Sequence, residues 1–170
     1  MSAAAQAVPK PVGAEVPRYV VEVGMKPGNP DPAALALQSQ LSSVGVASVT
    51  EVRVLALYEL RGRMTAAQAT LAARDLLADP VTQDYRLDRQ AAAPLPAHWR
   101  LEVWLKSSMT DPVGESVRKA VKDLNLPEPA TVRTGAAYQL FGRLQKSQAD
   151  RVLERLLSNP VIHRVTAELR

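Results

Sequence analysis

The sequence predicts an α+β protein built from two tandem copies of one small module, each an antiparallel sheet covered on one face by two helices. Three observations lead to this prediction. The chain repeats itself at a fixed offset, each repeat alternates between strand and helix periodicity, and the helix ends carry matching capping residues. With 170 residues, 46% of them hydrophobic, the chain is long enough for two small cores.

The internal repeat is the strongest of these signals. When the chain is shifted by 80 residues, residues 19–88 align with residues 99–168 without a gap, and 18 of the 70 pairs are identical. A stretch rich in alanine and proline, residues 90–97, lies between the copies and is typical of an extended spacer. The predicted organisation is a disordered tail over residues 1–17, a first repeat over 18–89, a linker over 90–98 and a second repeat over 99–170.

The first strand and the first helix of each repeat are predicted by pattern. Apolar residues alternate with polar ones at the start of both copies, which is typical of a strand. Asp31 and Asp111 each precede a proline and are suitable helix N-caps. We expect these helices to end at Gly45 and Asn125, because glycine and asparagine best tolerate the left-handed conformation of a C-terminal cap.

The second part of each repeat is predicted in the same way. A long alternating stretch is either one strand or a bent pair, and it covers residues 52–60 and 132–140. The next helix begins near Thr65, where Thr65 and Gln68 fit a capping box, and Pro80 and Pro160 end the two copies of this helix. A last short strand is predicted over residues 81–87 and 161–167.

This order of elements indicates a ferredoxin-like arrangement, with both helices on one face of the sheet. The opposite face would carry Arg53 among apolar side chains and is too apolar to remain in water; the apolar residues include Val20, Leu55, Leu57, Trp104 and Phe141. A module of about 70 residues is also marginally stable by itself. We therefore expect the copies to pack as a pseudo-twofold dimer, and we hypothesise that their sheets pack face to face.

Composition excludes several kinds of site. The chain has no cysteine, which excludes disulfides and thiolate metal sites. Two histidines, His98 and His163, are too few for a histidine metal site, and we expect both at the surface. There is no nucleophile motif and no phosphate-binding glycine loop, so no catalytic residue, metal or cofactor is predicted. The lack of a long apolar run or a signal-peptide pattern predicts a cytoplasmic protein.

The positive charge lies in the second half: residues 91–170 contain 12 basic and 8 acidic side chains, against 9 and 9 in residues 1–90. Aromatic residues form 4% of the chain, which disfavours nucleic-acid binding. Residues that recur in both copies are candidates for contact with a partner's carboxylate or with a phosphate, and they are Lys26, Arg53, Tyr58, Arg63, Lys106, Arg133, Tyr138 and Arg143. The alternative is structural, with the lysines in turns and the strand arginines facing solvent or protecting an edge.

These motifs resemble PurS, the small subunit of the three-part phosphoribosylformylglycinamidine (FGAM) synthase of purine synthesis. The first repeat carries VEVGMKPGNPDP, VTEVRVLALYEL and LLADPV, and the second carries LEVWLKSSMTDPVG, ATVRTGAAYQL and LLSNPVIH. The chain departs from the family where Gly-Lys usually follows Val-Arg, since Leu55-Ala56 and Gly135-Ala136 stand there. It also departs where Asn-Pro-Val-Ile-Glu is usual, at residues 79–83 and 159–163. Roles of the missing lysine and glutamate are therefore not transferred to this chain.

The resemblance implies a subunit without activity of its own, part of a glutamine-dependent, ATP-using ligase. Such subunits dimerise and help to join a glutaminase (PurQ-type) to a synthetase (PurL-type), so that ammonia passes between them. A fused pair would be a covalent version of that dimer, with further oligomerisation left open. Two alternatives remain: a ferredoxin-like module that binds a small effector, and a nucleic-acid adaptor that uses the basic second half.

Overall fold

The computed structural model describes residues 15–88 and 93–170. The first repeat contains β1 (Arg18–Met25), α1 (Pro32–Gln40) with a following 3-10 turn (Leu41–Val44), β2 (Val49–Arg61), α2 (Ala66–Ala72) with a π-helical turn (Ala73–Leu77), and β3 (Gln83–Leu87). The second repeat contains β4 (His98–Leu105), α3 (Pro112–Asp123), β5 (Thr131–Gly142), α4 (Lys146–Val152) with a π-helical turn (Leu153–Leu157), and β6 (His163–Leu169). The long alternating stretch is thus a single strand in each repeat.

All six strands form one antiparallel sheet in the order β3-β1-β2-β5-β4-β6, so the two repeats meet where β2 pairs with β5. Ala56 pairs with Ala136, its own equivalent in the other repeat, which places a pseudo-twofold axis between them. The predicted α+β fold is confirmed, but the hypothesis of face-to-face packing is wrong. The repeats join edge to edge because β2 and β5, with 13 and 12 residues, would otherwise leave long unpaired edges.

The predicted helix boundaries are confirmed. Asp31 and Asp111 each accept a hydrogen bond from the backbone N–H three residues further on, at 3.0 and 2.8 Å. Gly45 and Asn125 adopt the left-handed conformation, with φ of 73° and 57°. The capping box at Thr65 is also present. Local sequence therefore determines where these helices begin and end.

The last strand of each repeat starts later than predicted, at Gln83 and His163. The side chain of Asp79 accepts hydrogen bonds from the next backbone N–H groups, at 2.7 and 3.0 Å, and Asn159 does the same at 2.9 Å. These side chains hold the residues after the proline in a turn, because Asp and Asn readily bond to backbone N–H groups two residues on.

The segment between the repeats needs one correction. His98, predicted as a surface residue of the linker, is the first residue of β4 and is only 5% exposed. Its ring stacks on Phe141 with a centroid distance of 4.8 Å, which explains its burial. His163 is half-buried rather than fully exposed. Residues 89–92 of the predicted linker and residues 1–14 of the predicted tail lie outside the described residues.

Two hydrophobic cores lie between the sheet and the helices, and each takes side chains from both repeats. The first core combines residues of α1 with residues of β4, β5 and α4, including Ala34, Leu37, Leu101, Leu140 and Val152. The second core combines residues of β1, β2 and α2 with residues of β5 and α3, including Val21, Leu60, Ala69, Val117 and Val132. Arg151 of α4 also donates a hydrogen bond to the carbonyl of Val44, 3.1 Å away. Neither core is therefore complete within one repeat.

Candidate functional site

The face of the sheet opposite the helices, called the helix-free face below, is the candidate interaction surface. Many of its side chains are buried although no helix covers them: Val20, Glu22, Leu57, Glu59, His98, Arg100, Trp104, Ala137, Gln139 and Phe141. Arg100 on β4 contacts Glu22 on β1, across three strand spacings that would span about 14 Å in a flat sheet. This contact indicates that the sheet curves toward the helix-free face, and the curvature buries the apolar residues that suggested face-to-face packing.

A buried ion network lies at the centre of this face and joins the two repeats. Arg100 donates hydrogen bonds to Glu22 at 2.6 Å and to Glu102 at 2.7 Å, and Arg86 also donates to Glu22. The side chains of Arg100 and Glu22 are 4% and 8% exposed. Burial raises the pKa of Glu102, but hydrogen bonds from Trp104 and Arg100 outweigh that effect, so its pKa is lowered overall.

On this face each repeat pairs a glycine with a large apolar residue, but the two residues occupy opposite strands in the two repeats. In the first repeat Gly24 on β1 pairs with Leu55 on β2, and in the second Trp104 on β4 pairs with Gly135 on β5. A Cβ on Gly135 would lie 2.7 Å from the Trp104 ring, so the glycine makes room for the indole. The two ends of the helix-free face therefore differ in shape although the backbone is related by the pseudo-twofold.

Each end of the helix-free face carries a cavity. The second-repeat cavity has a volume of about 570 Å³ and is lined by Lys106 and Arg133 among others. The first-repeat cavity has a volume of about 980 Å³ and is lined by the equivalent residues, Lys26 and Arg53. The structure thus brings together the lysine and the strand arginine that the sequence singled out in each copy.

Both lysines have a structural contact. The Lys26 ammonium donates to the carbonyl of Pro80 at 2.6 Å, and the Lys106 ammonium donates to the carbonyl of Pro160 at 2.5 Å. Each lysine therefore holds the turn before the last strand of its repeat. This contact explains why the lysine is retained in both copies.

The two strand arginines have different surroundings. Arg53 is exposed, donates to Glu51 at 2.6 Å, and its guanidinium lies 4.9 Å from the centre of the Phe141 ring. Arg133 is half-buried and donates to the carbonyls of Ser107 and Met109, at 2.6 and 2.9 Å. Arg53 therefore has a carboxylate partner, whereas Arg133 is bonded to the backbone of the loop before α3.

The tyrosines are not near these arginines. Tyr58 lies five positions after Arg53 on the same strand, so strand alternation sends the two side chains to opposite faces. Tyr58 and Tyr138 pack against the two cores under the helices, and burial raises the pKa of both phenols. Arg63 and Arg143 are exposed in the turns after β2 and β5, and neither forms an ion pair with another described residue.

Several cavity residues were missed by sequence reasoning. Trp104, Ser107, Thr131 and Arg164 line the second-repeat cavity, yet none of them was among the candidate contact residues. A signal was present in the repeat itself, because Arg164 aligns with Asp84 and reverses its charge. Searching for residues that recur in both copies discards this kind of difference.

Residues 15–88 and 93–170 contain no group of three or more His, Asp or Glu side chains placed to hold a metal ion. In the same part of the chain, every helix is too short or too polar to cross a membrane.

Comparison with known proteins assigns both repeats to one family. The family model for PurS, phosphoribosylformylglycinamidine (FGAM) synthase, matches residues 18–91 and again residues 98–170. The chain belongs to the PurS family. Each match falls on one repeat, so the chain carries two PurS units in tandem.

Among solved structures, the chain is similar to PurS from Methanocaldococcus jannaschii, one of the subunits of formylglycinamide ribonucleotide amidotransferase in the purine biosynthetic pathway. The two chains are 20% identical, the alignment covers 44% of this chain and 96% of that one, and the TM-score is 0.35. No curated protein sequence matches this chain.

Proposed function

We propose that this tandem PurS chain is a non-catalytic subunit of FGAM synthase that joins a glutaminase (PurQ-type) to a synthetase (PurL-type) and supports ammonia transfer between them. The supporting observation is that two PurS units share one sheet and two mixed cores about a pseudo-twofold. One chain thereby replaces a dimer of separate subunits. Covalent linkage raises the effective concentration of each unit near the other to about the millimolar range.

The differences between the two halves support contact with two unlike partners. Arg63 and Arg143 occupy equivalent exposed turns, so both halves offer a similar cationic contact there. On the helix-free face, however, Asp84 of the first repeat corresponds to Arg164 of the second. Opposite charges at equivalent positions favour different partners, because charge complementarity selects the partner and the orientation.

Reconstitution tests the proposal. FGAM formation is measured with purified glutaminase and synthetase subunits, with and without the full chain, using either glutamine or ammonium as the nitrogen source. We expect omission of the chain to abolish glutamine-dependent synthesis and to spare ammonium-dependent synthesis. Undiminished glutamine-dependent synthesis without the chain would refute the proposed role.

A matched pair of variants tests whether the halves contact different subunits. Arg63→Asp and Arg143→Asp make the same charge change at equivalent exposed turns of the two repeats. We expect one variant to weaken capture of the glutaminase and the other to weaken capture of the synthetase, measured as separate binary affinities. If both variants weaken the same subunit equally, the assignment of one half to each partner is wrong.

A further inference from the structure

The second-repeat cavity contains more positive charge than its surroundings neutralise. Four cationic side chains line it: Arg61, Lys106, Arg133 and Arg164. Glu59 supplies its one carboxylate. From this cavity we infer a binding site for a phosphate monoester of a small polar molecule, a function that goes beyond the proposed bridging role.

Glu59 is already engaged and leaves most of this charge unbalanced. It accepts hydrogen bonds from Arg61 and from Arg18, both at 2.6 Å. Burial raises the pKa of Glu59, but the bonds from these two arginines outweigh that effect and lower its pKa overall. Lys106, Arg133 and Arg164 form no ion pair with any described carboxylate. Three cations in one cavity therefore lack an anionic partner.

Neutral hydrogen-bond donors accompany these cations. Ser107, Ser108 and Thr131 line the same cavity, and their hydroxyl groups bond to no other described residue. Arg133 donates to the backbone carbonyl of Ser107 at 2.6 Å, which fixes the loop that carries both serines. Hydroxyl donors beside cations that lack a carboxylate partner are suited to an anion with several acceptor oxygens.

The pseudo-twofold provides an internal comparison, because the second-repeat positions of this cavity have equivalents in the first repeat. Glu59 and Arg61, which come from β2, correspond to Gln139 and Phe141. Four positions differ in the direction that favours an anion: Glu51 corresponds to Thr131, Asp84 to Arg164, Pro27 to Ser107 and Gly28 to Ser108. The second repeat thus lacks two carboxylates, gains one guanidinium and gains three hydroxyls relative to the first. The first-repeat cavity is also lined by cations, but its five arginines each form an ion pair; they are Arg53, Arg74, Arg86, Arg100 and Arg170. Cations without a carboxylate partner among the described residues are therefore concentrated in the second-repeat cavity.

Charge and size favour a phosphate ester over other anions. A phosphate monoester carries nearly two negative charges at neutral pH and has three acceptor oxygens, so it can accept hydrogen bonds from several of these cations at once, whereas a carboxylate has one charge and two oxygens. The volume of about 570 Å³ exceeds what a bare phosphate occupies and lies in the range of small-molecule sites. A nucleic-acid strand is disfavoured, because Trp104, the aromatic residue of the cavity, is 6% exposed and offers no stacking surface.

The full chain, without partner subunits, is the material for the test. Binding of ribose 5-phosphate and of inorganic phosphate is measured by calorimetry and by the shift in melting temperature, with ribose and acetate as controls. We expect ribose 5-phosphate to bind and to raise the melting temperature with concentration, and we expect added salt to weaken it. Because this binding experiment contains no partner subunit, a negative result would not bear on the bridging proposal. A negative result in the reconstitution would likewise not bear on the phosphate site.

Variants that replace cavity residues by their first-repeat equivalents test whether ribose 5-phosphate binds in this cavity. Arg164→Asp and Thr131→Glu restore the acidic side chains of the equivalent positions, and each is expected to weaken ribose 5-phosphate binding at least tenfold. Lys119→Asp makes the same charge change as Arg164→Asp at an exposed position of α3, across the sheet from the cavity, and should alter affinity less than twofold. The melting temperature without ligand shows whether each variant folds.

The following results would overturn the inference: no binding of ribose 5-phosphate at millimolar concentration, equal loss in Lys119→Asp, or equal binding of acetate. Inorganic phosphate bound as tightly as ribose 5-phosphate would overturn the assignment to an ester. If single-stranded RNA or an acidic peptide displaced ribose 5-phosphate and bound more tightly than it does, the assignment to a small molecule would be wrong.

Discussion

The ion pair between Arg100 and Glu22 links the two repeats at the centre of the helix-free face, and its removal is the most informative perturbation. The Arg100 side chain is 4% exposed and that of Glu22 is 8% exposed, so both charges are removed from water. Arg100→Met keeps most of the side-chain volume and removes the contacts to Glu22 at 2.6 Å and to Glu102 at 2.7 Å.

The loss in the free energy of unfolding expected for Arg100→Met depends on the contacts that Glu22 and Glu102 keep. Breaking a buried ion pair by removing one partner costs about 3–5 kcal/mol. Glu22 keeps its contact with Arg86, and Glu102 keeps the indole N–H of Trp104 at 2.9 Å, so neither carboxylate is left unpartnered. We therefore expect the lower end, about 3 kcal/mol. For a chain of this size, that loss lowers the melting temperature by about 6–12 °C.

Urea unfolding followed by circular dichroism measures the loss, and Lys146→Met serves as the control. The Lys146–Asp150 pair is 70% and 37% exposed, and its removal should cost no more than about 1 kcal/mol. Glu22→Gln and the double variant complete a cycle, in which we expect a coupling energy above about 1 kcal/mol. Equal losses in Arg100→Met and Lys146→Met, or strictly additive effects in the cycle, would refute the reasoning.

Two further predictions concern the backbone and the pH dependence of stability. Gly142 has φ of 128° and a Cβ there would lie 2.2 Å from the carbonyl oxygen of Ser48, whereas Gly28 has φ of 87° and open space around it. Urea unfolding should therefore show a loss of about 1 kcal/mol for Gly28→Ala and a clearly larger loss for Gly142→Ala, and equal losses would contradict the close approach. The pKa values of Glu59 and Glu102 are lowered on folding, so the unfolded chain binds more protons below about pH 4.3. Stability should be full above that pH and fall as the pH drops through the folded pKa values, and a urea midpoint that stays constant from pH 6 to pH 3 would contradict this.

The local signals in the sequence predicted the elements well and their assembly less well. Asp31, Asp111, Gly45 and Asn125 mark helix ends because capping depends on residues close in sequence. The choice between edge-to-edge and face-to-face packing depends on residues far apart in the chain, such as the pairing of Ala56 with Ala136. Alternation of apolar and polar residues is the same in both arrangements, so it cannot distinguish them.

For the candidate site, the recurrence of Lys26 with Lys106 and of Arg53 with Arg133 selected residues that line the two cavities of the helix-free face. Recurrence also selected Tyr58 and Tyr138, which pack against the cores on the opposite side of the sheet. The same criterion passed over Arg164, because its equivalent in the first repeat is Asp84, which has the opposite charge. Residues kept in both copies mostly hold the common fold, and residues that differ give each half its own chemistry.

The sequence by itself determined the duplication, the order of elements in each repeat and the family. The repeat and the family motifs are visible in the order of residues alone, and helix capping depends on residues close in sequence. Tertiary structure decided that the repeats share one sheet, that each core takes side chains from both, and that one cavity brings together three cations with no carboxylate partner in residues 15–88 and 93–170. These features arise when strands distant in the chain pair and the sheet curves. That pairing is stabilised by contacts between residues far apart in the chain, which local patterns in the sequence do not reveal.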